Sequence, residues 1–572
     1  MLLLPHFSVI FMTQQMPNID HFESSKSKRT ILGLRDNKHF DEIPHSPFPD
    51  QDRAVLLNLL KSCRKPKDLC NAIQIHAFVV KKKLLSKDIF IATALLSAYA
   101  KCGDLRKAHQ IFNQILDRNV VTWTSLIDGY VRHGQANEAL KCFRLMQHEG
   151  ISPNAVTYIC ILKACSSLGS LEIGKDIHVE IRKQGLMKRG GDIALGNTLV
   201  DMYVKCGALD NAREVFEDLC GRDVVSWNVL LTGYVTQGLG VEVLKYFTRM
   251  QDEGIFPDKV TYLCVLKACG IIRSLQIGEE IDAEVRKLGL FQKHAVLGNA
   301  LVDMYAKCGA LGKARDVFEK LPIRNVVSWT SLIEGYTTQG LSDDALKCFQ
   351  QMQDEGISPN AVTYICILKV CGMLGSLEVG EDIDNKVRKL GLLQKDIVLG
   401  NTLVNMYAKC CELKKAQEIF EQLPAWDVVS WTSLMFGYAQ LGQAEVVLNL
   451  FEKMRVDGIE PDLVSFLILL TGCSHGGLLK EGEKLFDDMC FVYYLSPTVE
   501  HYACMIDLFG RAGYLDKAQI LFNKVSYSDH LLLLLAILGA CHKWVNVKLG
   551  RWAFAQAVEL DKNCAAAYAC ME

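Results

Sequence analysis

The sequence predicts an all-α solenoid: a row of helix-turn-helix repeats, each packed on its neighbours. Three observations predict it. Trp123, Trp227, Trp329 and Trp431 stand 104, 102 and 102 residues apart, each inside a near-copy of one phrase: VVTWTSLIDGY, VVSWNVLLTGY, VVSWTSLIEGY and VVSWTSLMFGY. Each recurrence of about 102 residues divides into parts of 35, 36 and 31 residues, as in 326–360, 361–396 and 397–427. Within each part the apolar residues recur at the helical period, and no strand-like alternation competes.

In chain order, residues 1–52 come first and do not repeat. Met1–Asn18 carries no Lys, Arg, Asp or Glu, and Pro5 interrupts its short apolar run, so a secretory signal with a positive start is not indicated. Ser24–Arg29 (SSKSKR) has the composition of a mitochondrial or plastid transit peptide, while Asp20 and Glu23 do not fit one. Repeats then fill residues 53–529. Fourteen are expected, beginning at Arg53, Ile89, Val120, Ala155, Ile193, Val224, Lys259, Ala295, Val326, Ala361, Ile397, Val428, Leu463 and Val499. In the repeat at Val326 the first helix runs through SWTSLIEGYTTQ, and Gly340 breaks it. The second, DDALKCFQQMQDEG, carries Ala345, Leu346, Phe349 and Met352 at helical spacing, and Gly356 and Pro359 end it. Residues 530–572 form a last, partial segment.

Composition narrows the function classes. With 63 Lys+Arg against 65 Asp+Glu, 50% hydrophobic and 22% charged residues, the chain is neither disordered nor collagen-like. A net charge of −2 excludes a general electrostatic nucleic-acid binder and leaves room for a local basic groove. The longest apolar run, Leu531–Cys541, falls short of the roughly 20 residues that cross a bilayer, so no membrane partner is expected. None of the 22 cysteines forms a C-x-x-C pair, so zinc ribbons and thioredoxin-like sites lack their signature. Most recur in register: Cys63, Cys165, Cys269, Cys371 and Cys473 in one slot, Cys102, Cys206, Cys308 and Cys410 in a second, Cys160, Cys264 and Cys366 in a third. They read as small packing residues, and free thiols in this number imply a reducing compartment.

The segments GYVRHGQANEALKCFRLMQHEGISPN, LVDMYAKCGALGKARDVFEKLP and ILKACSSLGSLEIGKDIH resemble the pentatricopeptide repeat (PPR) family, specifically its PLS class, in which standard, long and short repeats alternate. The resemblance covers about nine-tenths of the chain, from Arg53 on, and implies a right-handed superhelix. After the repeats, Ile537–Ala569 resembles the family's first extension motif, with LLLLL where an early Trp is expected. The expectation is a truncated motif, with no second extension motif and no DYW deaminase domain.

PPR proteins bind single-stranded RNA at about one base per repeat. The resemblance places each base beside the fifth residue of the first helix and the last residue of the repeat. Here these pairs are Thr93/Asn119, Thr124/Asn154, Asn197/Asp223, Asn228/Asp258, Asn299/Asn325, Thr330/Asn360, Asn401/Asp427 and Thr432/Asp462. Asn and Thr can hydrogen-bond a Watson–Crick edge, and the adjacent Asp or Asn adds a second group. The helical framework is nearly constant between copies while these two slots switch, as suits a shared scaffold with variable readout. A plainer use for the same residues is helix capping or turn formation. The family code reads Thr/Asn as A, Thr/Asp as G, Asn/Asp as U and Asn/Asn as a pyrimidine. Long repeats carry Leu57, Ile159, Leu263, Ile365 and Leu467 in the fifth slot, which cannot hydrogen-bond a base, and Ala503 ends the series. The implied word from Ile89 is A-A-n-U-U-n-Y-A-n-U-G. Val121, Val225, Val327 and Val429, in the second slot, either sandwich a base or pack in the core. Lys101, Lys205, Lys307 and Lys409, late in the short repeats' first helices, are the candidates for phosphate contacts, or else a solvated face.

No catalytic constellation appears. A zinc deaminase needs H-x-E with P-C-x-x-C. His178-Val179-Glu180 supplies only the first, and its slot holds His76, Asp282 or Asp384 elsewhere, so His178 reads as an incidental polar residue. No enzyme activity, cofactor or metal is expected. The implied function is sequence-specific binding of single-stranded organellar RNA, in a mitochondrion or alternatively a chloroplast. Within it, the leading role is a specificity factor for C-to-U editing, with the deaminase supplied in trans by a deaminase-bearing PPR protein or other editing factor. The alternatives are RNA stabilisation, splicing or translation without editing, and a protein-binding helical scaffold.

Overall fold

The computed structural model describes residues 50–85, 88–187, 192–525, 531–561 and 564–569. Met1–Asn18 and Ser24–Arg29, which carry the targeting readings, lie outside the described residues. Apart from the 3-10 turn Pro66–Asp68, every regular element among the described residues is an α-helix, which establishes the all-α fold. The chain divides into two compact units, residues 1–164 and 165–572.

In the first unit, Asp50–Ser62, Ile89–Cys102 and Val120–Arg132 pack each on the next, and Leu69–Lys81, Leu105–Gln114 and Ala136–His148 are their second helices. The second unit continues the scheme through the first helices Ile193–Lys205, Val224–Thr236, Lys259–Ile272, Ala295–Lys307, Val326–Thr338, Ala361–Leu374, Ile397–Lys409, Val428–Gln440, Leu463–Gly476 and Val499–Arg511. Each of these packs on the next. Leu531–Trp544 and Val547–Leu560 add a further pair, the former packed on Val499–Arg511. Second helices pack chiefly on first helices; among the described residues the backbones of no two of them come close, and ion pairs such as Arg182–Asp218 and Lys517–Glu483 span the gaps between them. The second unit is therefore a continuous layer of first helices backed by a discontinuous layer of second helices. First helices that touch while second helices stand apart make the former the shorter, inner side of the stack.

Burial follows from this layering. Val326–Thr338 is covered by the first helices on either side and by its own second helix, and it buries residues around most of its circumference: Ser328, Trp329, Thr330, Ser331, Leu332, Ile333, Gly335 and Tyr336. Ser342–Asp354, covered on one side, buries a stripe of Ala345, Cys348, Phe349 and Met352. Each recurring Trp packs edge-to-face on the Phe of the preceding short repeat, with ring centroids 4.5 Å apart for Phe112–Trp123 and Phe318–Trp329 and 4.8 Å for Phe216–Trp227 and Phe420–Trp431. Such pairs add about 0.5–1.5 kcal/mol beyond their area. Gly340 turns the chain between the two helices with φ +72°, where a side chain would be strained. Gly335 has another cause: a Cβ there would lie 2.6 Å from the Cβ of Ala306, so its absence lets adjacent first helices approach. Among the described residues no helix is long and apolar enough to cross a membrane.

Candidate nucleic-acid interface

The site is assembled from helix starts. The opening N–H groups of an α-helix lack intrahelical acceptors and need an outside one. The last residue of each repeat supplies it. Asn119, Asp258 and Asn325 each accept from two N–H groups of the following helix through Oδ1, and Asn154, Asp223, Asn360, Asp427 and Asp462 each accept one. The capping role is thus real, and it fixes orientation. Every one of these bonds uses Oδ1. The atom left for an outside ligand is Oδ2 in Asp, an acceptor, and Nδ2 in Asn, a donor. Burial pushes the Asp223 and Asp258 carboxyls up. The bonds from Ser226 and Asn197, and from Thr261 and Asn228, outweigh it and hold both below the ordinary carboxylate value.

The fifth residues lie beside these caps. Where the fifth residue is Asn, the pair is joined directly: Nδ2 donates to Oδ1 of the last residue in Asn197–Asp223 (3.1 Å), Asn228–Asp258 (2.9 Å), Asn299–Asn325 (3.3 Å) and Asn401–Asp427 (3.0 Å). Where it is Thr, the side chain is too short. Thr124 and Thr330 lie 2.7 Å from the hydroxyls of Thr157 and Thr363, which in turn bond Asn154 and Asn360. Among the described residues no hydrogen bond joins Thr93 to Asn119 or Thr432 to Asp462. Thr124, Asn197, Asn228, Asn299, Thr330, Asn401 and Thr432 are all buried, and Thr93 half-buried, so each offers only an edge.

The second-slot valines settle their own alternative. Val121, Val225, Val327 and Val429 are 50–54% exposed, against the core reading. Val156, Val362, Val398 and Val464 repeat this in other repeats. At roughly 100° per residue, positions 9 and 13 of a helix each fall within about 20° of position 2. The late lysines therefore share the valines' face. Lys205 and Lys307 are paired within their helices, to Asp201 at 2.8 Å and Asp303 at 2.9 Å. Lys101 and Lys409 have no ion pair among the described residues. Position 9 of the long repeats adds Lys163, Lys267 and Lys369, exposed and without an ion pair among the described residues. The sequence carries the same once-per-triplet signal for these three as for the other four, and they complete the set.

His178 is not incidental. Its Nδ1 lies 2.9 Å from the Tyr203 hydroxyl, and burial, helped by Arg182, pushes the imidazole down to about 4. His76 meets Tyr99 at 3.0 Å, and Tyr305 and Tyr407 donate to Asp282 and Asp384 at 2.9 Å. The slot is a buried latch between a long repeat's second helix and the next short repeat's first helix, and either side chain serves as its acceptor. Burial likewise pushes the thiols of Cys160, Cys165, Cys269, Cys371 and Cys473 up to about 12, which keeps them protonated and inert. Among the described residues no cluster of His, Cys, Asp or Glu is placed to hold a metal.

The chain matches the PPR repeat family over residues 118–167, 222–270, 324–373 and 426–475. Single PPR repeats match at 90–120, 197–224, 299–326, 401–428, 464–490 and 500–528. It is 35% identical to pentatricopeptide repeat-containing protein At2g03380, mitochondrial, of Arabidopsis thaliana, over 90% of this chain and 74% of that protein. It is 34% identical to At1g11290, chloroplastic, of the same plant, over 88% of this chain and 62% of that protein. Among solved structures, that of the pentatricopeptide repeat protein PPR10 from maize is similar, with TM-score 0.54 and 18% identity over 88% of this chain and 83% of that one. PPR10 in complex with an 18-nucleotide psaJ RNA element matches with TM-score 0.53 and 18% identity over 82% and 79%. At that identity the likeness concerns the fold.

Proposed function

The chain belongs to the pentatricopeptide repeat family, and from that premise we propose that it is a binding protein, not an enzyme, that reads single-stranded RNA base by base. One observation carries the reading. The caps spend Oδ1 inside the protein and leave an acceptor in Asp223, Asp258, Asp427 and Asp462 but a donor in Asn119, Asn154, Asn325 and Asn360. G and U carry a ring N–H on the Watson–Crick edge and suit the acceptor. A and C carry a bare ring nitrogen there and suit the donor. The family code divides the Thr pairs in the same way, Asp reading G and Asn reading A; of the Asn pairs it gives U to Asp and either pyrimidine to Asn. The exposed valines beside each pair suit the faces of a base, and the lysine rows suit phosphates. PPR10, of the same fold, is known in complex with an RNA element.

An organelle is the proposed site of action, since similar proteins are named mitochondrial or chloroplastic. The finer proposal is that the bound RNA places a cytidine for a deaminase supplied in trans. Binding to synthetic A-A-n-U-U-n-Y-A-n-U-G, against a scrambled strand at fixed salt, tests the readout. Thr432→Asn moves the last preference from G toward U. Equal binding of both strands returns the chain to a helical scaffold for proteins. Mapping the bound transcripts separates the roles: sites just 5′ of an edited C support editing, and sites at transcript ends support stabilisation.

A further inference from the structure

Between the fifth residue and the last stands a group that the pairwise code leaves out. Thr157, Thr261 and Thr363 are the third residues of three long repeats and have no exposed surface. Each accepts the backbone N–H of the last residue before it, at 3.4, 3.1 and 3.3 Å. Each hydroxyl also reaches the fifth residue of the preceding standard repeat. Thr157 lies 2.7 Å from Thr124 Oγ1, Thr363 lies 2.7 Å from Thr330 Oγ1, and Thr261 donates to Asn228 Oδ1 at 2.7 Å. Thr157 and Thr363 complete the path by donating to Asn154 and Asn360 at 3.0 and 2.8 Å.

The last standard repeat supplies the contrast. The long repeat after it has Ser465 as its third residue, which bonds Asp462 at 2.7 Å and makes no hydrogen bond to Thr432 among the described residues. The Thr432 hydroxyl bonds the carbonyls of Val428 and Val429, as that of Thr124 also bonds Val120, but Thr432 has no partner in the next helix among the described residues. A threonine's second branch restricts χ1 and holds the hydroxyl in one direction, which serine does not ensure.

We propose that Thr157, Thr261 and Thr363 are positioning residues for base readout, by which these three long repeats, themselves lacking a reading pair, complete the sites of the standard repeats before them. This rests on the RNA reading above. The three are not equal. Asn228 holds Asp258 directly, so Thr261 supports a pair that already exists. Thr157 and Thr363 are the link itself.

The test uses the full chain and A-A-n-U-U-n-Y-A-n-U-G with the eighth base as A or G. Thr363→Val lowers the A-over-G ratio about three- to tenfold, the worth of one hydrogen bond. The G-over-U ratio at the last base stays as in wild type. Thr363→Ser, which keeps the hydroxyl, recovers part of the A preference. Thr157→Val, scored at the second base, stands in if Thr363→Val does not fold by circular dichroism. Unchanged A-over-G ratios in the folded valine variants overturn the positioning role alone, even if all affinities fall together. A wild type indifferent between A and G overturns the RNA reading and the positioning role with it.

Discussion

Asn325 accepts two helix N–H groups and the Asn299 amide through one oxygen, and that economy makes the residue a switch. Asn and Asp cap about equally well. Asn325→Asp therefore changes stability by less than about 0.5 kcal/mol in a thermal melt. It exchanges an outward donor for an acceptor, and the preference at the seventh base narrows from either pyrimidine toward U in competition binding. His178 gives a second expectation. Unfolded, an imidazole takes up its proton near 6.5; folded, burial delays that to about 4. In that window the unfolded chain binds more protons, so stability falls as pH is lowered from 6.5 toward 4. His178→Asp copies Asp282 and Asp384, which accept from a Tyr and pair with an Arg four residues on, as Arg182 stands here. The variant loses less melting temperature over that window than wild type; an identical pH slope would sink the assignment. The pair Thr330/Asn360 is legible in the sequence because both slots vary against a constant frame. The role of Thr363 is not: Ser and Thr at a helix start read as capping, and only packing shows which hydroxyl points back across the junction.

At the scale of elements, glycine in mid-helix costs about 1 kcal/mol relative to alanine. Gly335→Ala improves propensity yet sets a Cβ 2.6 Å from that of Ala306 and 3.3 Å from its Cα. Backbone cannot yield as a flexible chain does, so this variant is destabilised, on the order of 1–3 kcal/mol by denaturant titration. Gly380→Ala meets the Met406 thioether end at 2.7 Å, which can swing aside, and costs less. Equal losses in the two variants would mean that helix approach is not what Gly335 permits. Helix periodicity and the turn at Gly340 are written plainly in the sequence. Which helix lies inside is not, because both helices of a repeat are amphipathic; it emerges from the near-complete burial of Val326–Thr338 against the single stripe of Ser342–Asp354.

Over the whole molecule, a net charge of −2 leaves affinity for a polyanion to local rows. Lys267 has no ion pair among the described residues, whereas Lys307 already holds Asp303 at 2.9 Å. Each phosphate contact to a single strand contributes roughly 0.7 to the slope of log affinity on log salt. Lys267→Ala lowers that slope by about 0.7 and weakens matched and scrambled strands alike. A loss confined to the matched strand would assign Lys267 to base recognition instead.

The arrangement of caps has a consequence for how such chains diversify. A reading site draws its fifth residue from one repeat, its last residue from the cap of the next helix, and its bridging hydroxyl from within that next helix: Thr330, Asn360 and Thr363. The folding module and the reading module are thus out of phase. A recombination joint placed at a helix start splits a site between two parents. One placed in a second helix such as Ser342–Asp354 splits it as well, since Thr330 precedes that helix while Asn360 and Thr363 follow it; a joint between the third and fifth residues of a first helix, as between Thr363 and Ile365, transfers whole sites intact. Inheritable words of RNA specificity would then be bounded just past the third residue of a first helix, and grafting between homologues should be cut there.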